Sequence, residues 1–382
     1  MSIGLPVYNG ENYLAKAIES VLGQTFRDLE LIICDNASTD RTQAICEDYV
    51  RRDARIRYIR NARNLGAGPN YDLAFHSARG IFFNWLAHDD AMAPTYLERA
   101  VACLERTPDA VLCYIGITEI DTKGQVRRAY TNHLPGVDSP RASIRFAGMI
   151  LYRHQCEPFF GLFRRQALVG SGLHGLFCGS DRVLLAEMAL RGPCVAVPEP
   201  LFLHREHNER YTRAVLLGDR TKAKSWQDTS AAPRRPGCSM YNLSIYSHYW
   251  RLVWKTVPDR GERWACYGQL FRWWLEDYHF RDVIKDVLAT IHPRLLANMR
   301  RIKRALFGIS PSPPGSLPPL NDDLDQPPET PTRETSTANR VGGNLDEPTT
   351  NVSPRFTKGG RILTPLRVIR TWVILICGGG AT

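Results

Sequence analysis

The chain predicts an α/β fold with a mainly parallel sheet, followed by a helical appendage and a disordered tail. Three observations carry this reading. From residue 1 to about 120, short apolar runs alternate with helical periods, the mark of βαβ units. Farther on, Tyr246, Tyr249, Trp250, Trp254, Trp264, Trp273 and Trp274 recur at helical spacing. From Ser310 to about Gly360, Pro, Thr, Ser, Asn, Asp and Gly dominate, and such a stretch buries too little apolar area to offset its ordering entropy.

The elements follow in order. Ile3-Gly-Leu-Pro-Val7 reads as a strand, Asn9-Gly10 as a turn, and Leu14, Ala17, Ile18, Val21 and Leu22 as one face of a helix. Leu29 to Ile33 is the next strand, and it runs into Cys34-Asp35. A helix over about 41–52 leads to a strand at 56–59. A helix over 71–78 leads to a strand at 81–86 that ends in His88-Asp89-Asp90. A helix at 96–105 and a strand at 110–115 close the first half of the domain, at about residue 120. In the second half, 121–210, helices near 143–152 and 182–190 flank Phe159-Phe160-Gly161-Leu162, and a strand at 195–203 runs into His204-Arg-Glu-His207. The expected divisions are 1–210, a helical appendage at 211–309, and the tail at 310–382.

The formal charge of +10 over 382 residues, with a pI near 9.2, favours an acidic partner. Nucleic acid is set aside, because the basic residues cluster in one short stretch: Arg294, Arg300, Arg301, Lys303 and Arg304 interleave with Leu295, Leu296, Met299, Ile302, Leu306 and Phe307. That is a basic amphipathic pattern, which suits an anionic membrane surface. The ten cysteines are scattered singly with no Cys-x-x-Cys pair, which argues against a zinc ribbon or redox motif and for a reduced, cytoplasmic chain. Val368 to Cys377 is apolar but shorter than the roughly 20 residues of a spanning helix.

Three acidic groups stand where chemistry is expected. Asp35 follows a strand and precedes a turn of small polar residues, at the sheet edge where α/β folds bind ligands, and its plainer role is to cap that turn. Asp40 reads as a helix cap. Asp89 and Asp90 follow a buried strand and offer the oxygen ligands that a hard divalent cation prefers. Asp181 follows a Gly-Ser turn at a helix start, where an acid faces the macrodipole.

The stretch from residue 1 to about 210 resembles family 2 glycosyltransferases of the GT-A fold. The resemblance lies in Gly4-Leu-Pro-Val-Tyr-Asn9, Ile18-Glu-Ser-Val-Leu-Gly-Gln-Thr25, Asp35-Asn-Ala-Ser-Thr-Asp40, Asn61-x-x-Asn-Leu-Gly66 and Leu86-Ala-His-Asp-Asp90. It implies a nucleotide-sugar donor, UDP-linked, whose base is lined by Pro6, Val7 and Tyr8 and hydrogen-bonded by Asp35, with Asn64 and Asp89 in the same site. It implies a divalent metal, Mg²⁺ or Mn²⁺, on Asp89, with Asp90 second and His207 third, and His204 competing for that last place. Ala87 stands where the family carries another acid. It further implies that Asp181 is the general base, with Ser180 replacing a family Glu. Gln269-Leu-Phe-Arg-Trp273 matches the signature of processive members, yet Phe271, Trp274, Leu275 and Tyr278 at helical spacing suggest packing instead. The function so implied is inverting transfer of a sugar to a glycan or glycolipid hydroxyl in cell-envelope assembly, in the cytoplasm or on the inner membrane face. The alternatives are a nucleotidyltransferase, or a non-catalytic carbohydrate- or membrane-binding scaffold.

Overall fold

The computed structural model describes residues 1–207 apart from 153, residue 210, residues 241–276, and residues 279, 280, 283 and 284. The expected tail, the basic segment 294–307, Tyr278 and the apolar run 368–377 lie outside the described residues.

The first strands and helices alternate as the sequence implies: β1 (Ser2–Val7), α1 (Leu14–Leu22), β2 (Glu30–Asp35), α2 (Thr42–Arg52), β3 (Ile56–Arg60), α3 (Ala67–His76), β4 (Phe82–Trp85), β5 (Ala91–Met92), α4 (Tyr96–Arg106) and β6 (Leu112–Ile120). The second half adds β7 (Val126–Tyr130), α5 (Ala142–Ile150), a 3₁₀ turn (Glu157–Phe160), β8 (Leu162–Arg164), α6 (Arg165–Leu168), α7 (Ser180–Arg191) and β9 (Cys194–Arg205). Two helices follow, α8 (Tyr241–Thr256) and α9 (Arg260–Leu275). One nine-stranded sheet runs β3-β2-β1-β4-β8-β6-β9-β5, with β7 on β6. The β1–β2, β2–β3, β1–β4 and β6–β9 pairs are parallel.

β2 shows why the sheet is covered on both faces. Its apolar run points Leu31 and Ile33 to one side, onto α1 through Leu14, Ala17, Ile18 and Val21, and Ile32 and Cys34 to the other, onto α3 through Tyr71, Ala74 and Phe75. A strand buried on both faces reads as a continuous apolar run. α7 likewise buries Val183 and Ala186 against α8 and α9, and Leu184, Leu185 and Met188 against the sheet side. Trp85 stacks on Phe159 at 4.7 Å, tying the end of β4 to the 3₁₀ turn.

The structure departs from the sequence expectation at four places. α3 begins at Ala67 rather than 71, because Gly66 takes φ 87° just before it and Pro69, which has no N–H, falls in the first turn, where N–H groups have no intrahelical partner. β6 runs past the predicted end at 115, since Gly116 lets β9 close in: a Cβ there would lie 2.5 Å from the Pro198 carbonyl. β5 and β8 are too short, and β7 too charged, to show a strand period. Finally, Phe271 and Leu275 were expected to pack and are instead 56% and 54% exposed, while Trp273 is buried. Among the described residues, no helix is long and apolar enough to cross a membrane.

Candidate active site

β1 lies between β2 and β4, so the chain leaves its carboxyl end in one direction and returns on the other side. That reversal opens a crevice at the strand ends. Asp35 borders it on the β2 side and Asp89 on the β4 side, with Pro6, Val7 and Tyr8 between them. Val7 is in register with Asp35, and Tyr8 is 45% exposed at the rim.

The two loops at this edge are laced together. The Asn9 N–H donates to Ser38 Oγ at 2.9 Å, the Thr39 N–H to Asn9 Oδ1 at 2.9 Å, and the Gly10 N–H to Thr42 Oγ1 at 2.9 Å. Asp40 accepts from the Thr42 N–H and the Glu11 N–H, both at 3.0 Å, so it secures the entry to α2. Gly10 also admits His88: a Cβ would stand 2.5 Å from Val7 Cγ2 and 2.6 Å from His88 Cδ2. Gly10→Ala is therefore expected to lower stability by about 1–3 kcal/mol through overpacking, visible as a drop in melting temperature. An unchanged melting curve would show that this loop has slack.

Asp35 is fully buried, and its carboxylate is occupied from within. Oδ1 accepts from the Ser38 N–H at 2.8 Å, and Oδ2 accepts from the Tyr58 hydroxyl at 2.7 Å and from the Arg60 guanidinium. Burial, followed by the Asp35 hydrogen bond, pushes the Tyr58 phenol up. In this state Asp35 anchors the turn after β2. Asn64 Oδ1 accepts from Asn36 Nδ2 and from the Gly66 N–H, both at 2.8 Å, and so fastens the loop before α3.

At the other border, Asp89 Oδ2 and His207 Nε2 are 2.8 Å apart, and the two side chains are only 15% and 11% exposed. Burial raises the Asp89 carboxyl, but the His207 hydrogen bond and the charges of His88 and Arg210 outweigh it and hold Asp89 below the usual carboxylate range. Asp90 has a different setting. It is 1% exposed, Oδ1 accepts from the Arg205 N–H at 2.8 Å, and Oδ2 faces His204 Nδ1 at 3.6 Å. Burial works against a charge on His204, but Asp90 outweighs it and raises its proton affinity. Asp90 and His204 thus form an inner pair, and Asp89 and His207 an outer one.

Sequence reasoning missed the residues that hold these pairs. Arg205 Nε donates to the Asp89 carbonyl at 2.8 Å, and its guanidinium lies 4.8 Å over the Tyr13 ring. Tyr13 is in turn 5.4 Å from the His207 ring. Arg210 bonds the Arg205 carbonyl and Glu206 Oε1 at 2.9 and 3.1 Å and adds positive charge near both aspartates.

Asp181 opens the first turn of α7 after Gly179, whose φ of 83° suits a residue without Cβ. Its Oδ1 accepts from the Arg182 N–H at 2.9 Å. Ser180 Oγ lies 3.2 Å from His174 Nδ1, and the His174 ring is 4.9 Å from the Tyr71 ring. The Tyr71 phenol is pushed up first by burial, then by the negative charges of Asp89, Asp90 and Asp181. One buried ring on α3 thus lies within electrostatic reach of all three carboxylates. Glu157, another acid on this side, accepts from the Gln155 N–H at 2.8 Å and the Tyr130 hydroxyl at 3.2 Å.

Asp72, beside Tyr71, accepts from the His174 N–H at 2.9 Å, and burial pushes its carboxyl up to about 7. A carboxyl raised in the folded state stabilises fully below its unfolded pKa, near 4, and that contribution is lost as pH rises through about 7. Asp72→Asn, which keeps the acceptor oxygen, is expected to leave the melting temperature unchanged at pH 4 and to raise it by several degrees at pH 8. Equal melting temperatures at pH 8 would place Asp72 in water.

The donor set of Asp89 and His207 fits a divalent cation that takes its other oxygens from a bound phosphate: one carboxylate and one imidazole converge, with Asp90 turned inward. Among the described residues, no three His, Cys, Asp or Glu groups form a complete metal cage.

An α/β sheet with an acidic crevice at its carboxyl edge marks a ligand-binding edge, and comparison narrows the class of protein. Residues 2–169 match the family described as Glycosyl transferase family 2, so this segment is similar to a family 2 glycosyltransferase domain. An uncharacterized glycosyltransferase of Rickettsia prowazekii is 35% identical over 124 residues, which cover 32% of this chain and 38% of the relative. One of Methanocaldococcus jannaschii is 33% identical over 132 residues, covering 34% and 46%. The chondroitin synthase of Escherichia coli is 32% identical over 126 residues, covering 33% and 18%. The matches thus span less than half the length of each relative. Among solved structures, S. aureus TarS 1-349 in complex with UDP-GlcNAc superimposes with a TM-score of 0.50 at 15% identity, over 72% of both chains, and shares the GT-A fold.

Proposed function

We propose that the protein transfers a sugar, with inversion, from a nucleoside diphosphate donor to a hydroxyl of a glycan or glycolipid acceptor in cell-envelope assembly. The observation that supports this reading is the Asp89–His207 pair at the strand edge, with Asp181 reaching the same side through Ser180 and His174 beside the Tyr71 ring. Asp181 takes the acceptor proton while the acceptor oxygen bonds the anomeric carbon. The bond from that carbon to the phosphate oxygen breaks, and its electron pair leaves with the nucleoside diphosphate. Asp89 and His207 would hold a divalent cation, Mg²⁺ or Mn²⁺, which when bound supplies positive charge to the diphosphate. Arg210, next to this pair, adds a fixed positive charge on the same side.

Pro6, Val7 and Tyr8 line the base, and Asp35 and Asn64 complete the donor pocket. Asp35 is shielded by Arg60, whose side chain is 33% exposed against 0% for Asp35, so base recognition requires Arg60 to swing outward. The bound donor of TarS supports a nucleotide sugar in this crevice, and the uridine form is the first to test.

The test is calorimetric titration of the full chain with UDP- and GDP-linked sugars, with and without Mn²⁺. At least one donor should bind with an affinity that falls when the metal is removed. Absence of binding by every donor would overturn the transferase reading, and metal-independent binding would remove the cation from it.

A further inference from the structure

We propose that the outward face of α8 and α9 is a docking surface for an anionic lipid bilayer. The two helices bury one side against α5 and α7, through Ile245, Tyr249, Val253, Cys266, Leu270 and Trp273. Their other side is apolar as well. Trp250, Trp254, Trp264, Phe271 and Leu275 are 46%, 65%, 73%, 56% and 54% exposed. Trp250 and Trp254 are one turn apart on α8, and Trp264, Phe271 and Leu275 follow one another along a single stripe of α9.

The residues form one patch across both helices. Trp250 stacks on Tyr267 at 4.1 Å, Tyr267 meets Trp264 at 5.8 Å, and the Arg263 guanidinium lies 4.8 Å over Trp254. Five large apolar side chains held out of a packed core together cost solvation that a soluble surface normally avoids.

Charge selects the occupant. Arg251, Lys255, Arg260 and Arg263 border the aromatic rings, and none has a carboxylate partner among the described residues. The acids of the same helices are already used: Asp259 caps the Glu262 N–H at 2.8 Å, Glu262 pairs with Arg141 at 2.8 Å, and Glu276 pairs with Arg272 at 3.0 Å. A glycan offers neutral hydroxyls, which call for acceptors beside the rings, and here those acceptors are consumed. Indole and phenol rings settle at the headgroup level of a bilayer, and Arg and Lys without carboxylate partners attract anionic headgroups. The helical pair would lie in the membrane plane without spanning it. This inference stands apart from the transfer chemistry, since the patch contains none of the proposed donor or acceptor residues.

The test is co-sedimentation of the full chain with vesicles of phosphatidylglycerol and phosphatidylcholine, and with vesicles of phosphatidylcholine alone. The protein should bind the anionic vesicles and largely fail to bind the neutral ones. Trp254→Ala with Trp264→Ala, and separately Arg251→Glu with Lys255→Glu, should each weaken binding roughly tenfold or more. All four side chains border the solvent-facing patch, so melting temperatures should stay near that of the unaltered chain. No binding to anionic vesicles, or binding by both variants as tight as that of the unaltered chain, would overturn the proposal. So would loss of a dimer, rather than of vesicle binding, in the tryptophan variant, which would mark the patch as an interface between copies of this chain.

Discussion

Asp181→Asn is expected to reduce transfer roughly 10²- to 10⁴-fold, about 3–5 kcal/mol in the transition state, with donor affinity unchanged. The fold should tolerate the change, because the carboxylate oxygen that receives the Arg182 N–H is matched by the amide oxygen of Asn. Gly179 and Ser180 still set the start of α7, and Ser180 keeps its contact with His174. What disappears is a group able to accept a proton near neutral pH. A purely structural Asp181 would give a different result, a loss of a few tenths to about 1 kcal/mol of stability with near-normal turnover. Steady-state transfer and donor binding on the same variant separate the two, and near-normal turnover would move suspicion to Glu157.

Asp89→Asn should weaken Mn²⁺-dependent donor binding by at least about tenfold while sparing metal-free nucleoside binding. The amide retains an oxygen facing His207 Nε2 but loses the negative charge that a cation needs. His207→Ala should act in the same direction. Asp90→Asn should not: its carboxyl receives the Arg205 N–H and faces His204 inside the protein, so the change should register in thermal stability before donor affinity. Titration calorimetry on the three variants tests the division into outer and inner pairs. Equal losses of metal-dependent affinity in all three would mean that Asp90 turns outward to share the cation.

The acids of the cleft were readable in the sequence for a simple reason. Each ends or closely follows a buried strand or begins a helix after a Gly-containing turn, and a continuous apolar run followed by a small polar turn leaves few places for the side chain to go. Their partners were not readable, because pairing across the sheet depends on register. Asp35 sits opposite Arg60 only because β2 and β3 run parallel in the alignment that sets Leu31 beside Ile56, and nothing local to residue 60 announces it. Arg205, Tyr13 and Tyr71 enter the cleft from three distant segments for the same reason. The stripe on α9 shows the opposite limit. Helical spacing identified Phe271 and Leu275 as one face, but only the packing of α5 and α7 decides which of two apolar faces is covered.

β9 carries His204 and Arg205 at its end, delivers the chain to His207, and lies beside β6 in parallel. Both it and Asp181 lie beyond residue 169, where the similarity to the family stops. The recognisable part of the sequence and the working part of the cleft therefore have different borders. In the proposed transfer the matched segment cradles the donor, whereas the proposed proton acceptor, Asp181, and the His207 half of the proposed cation pair lie outside it.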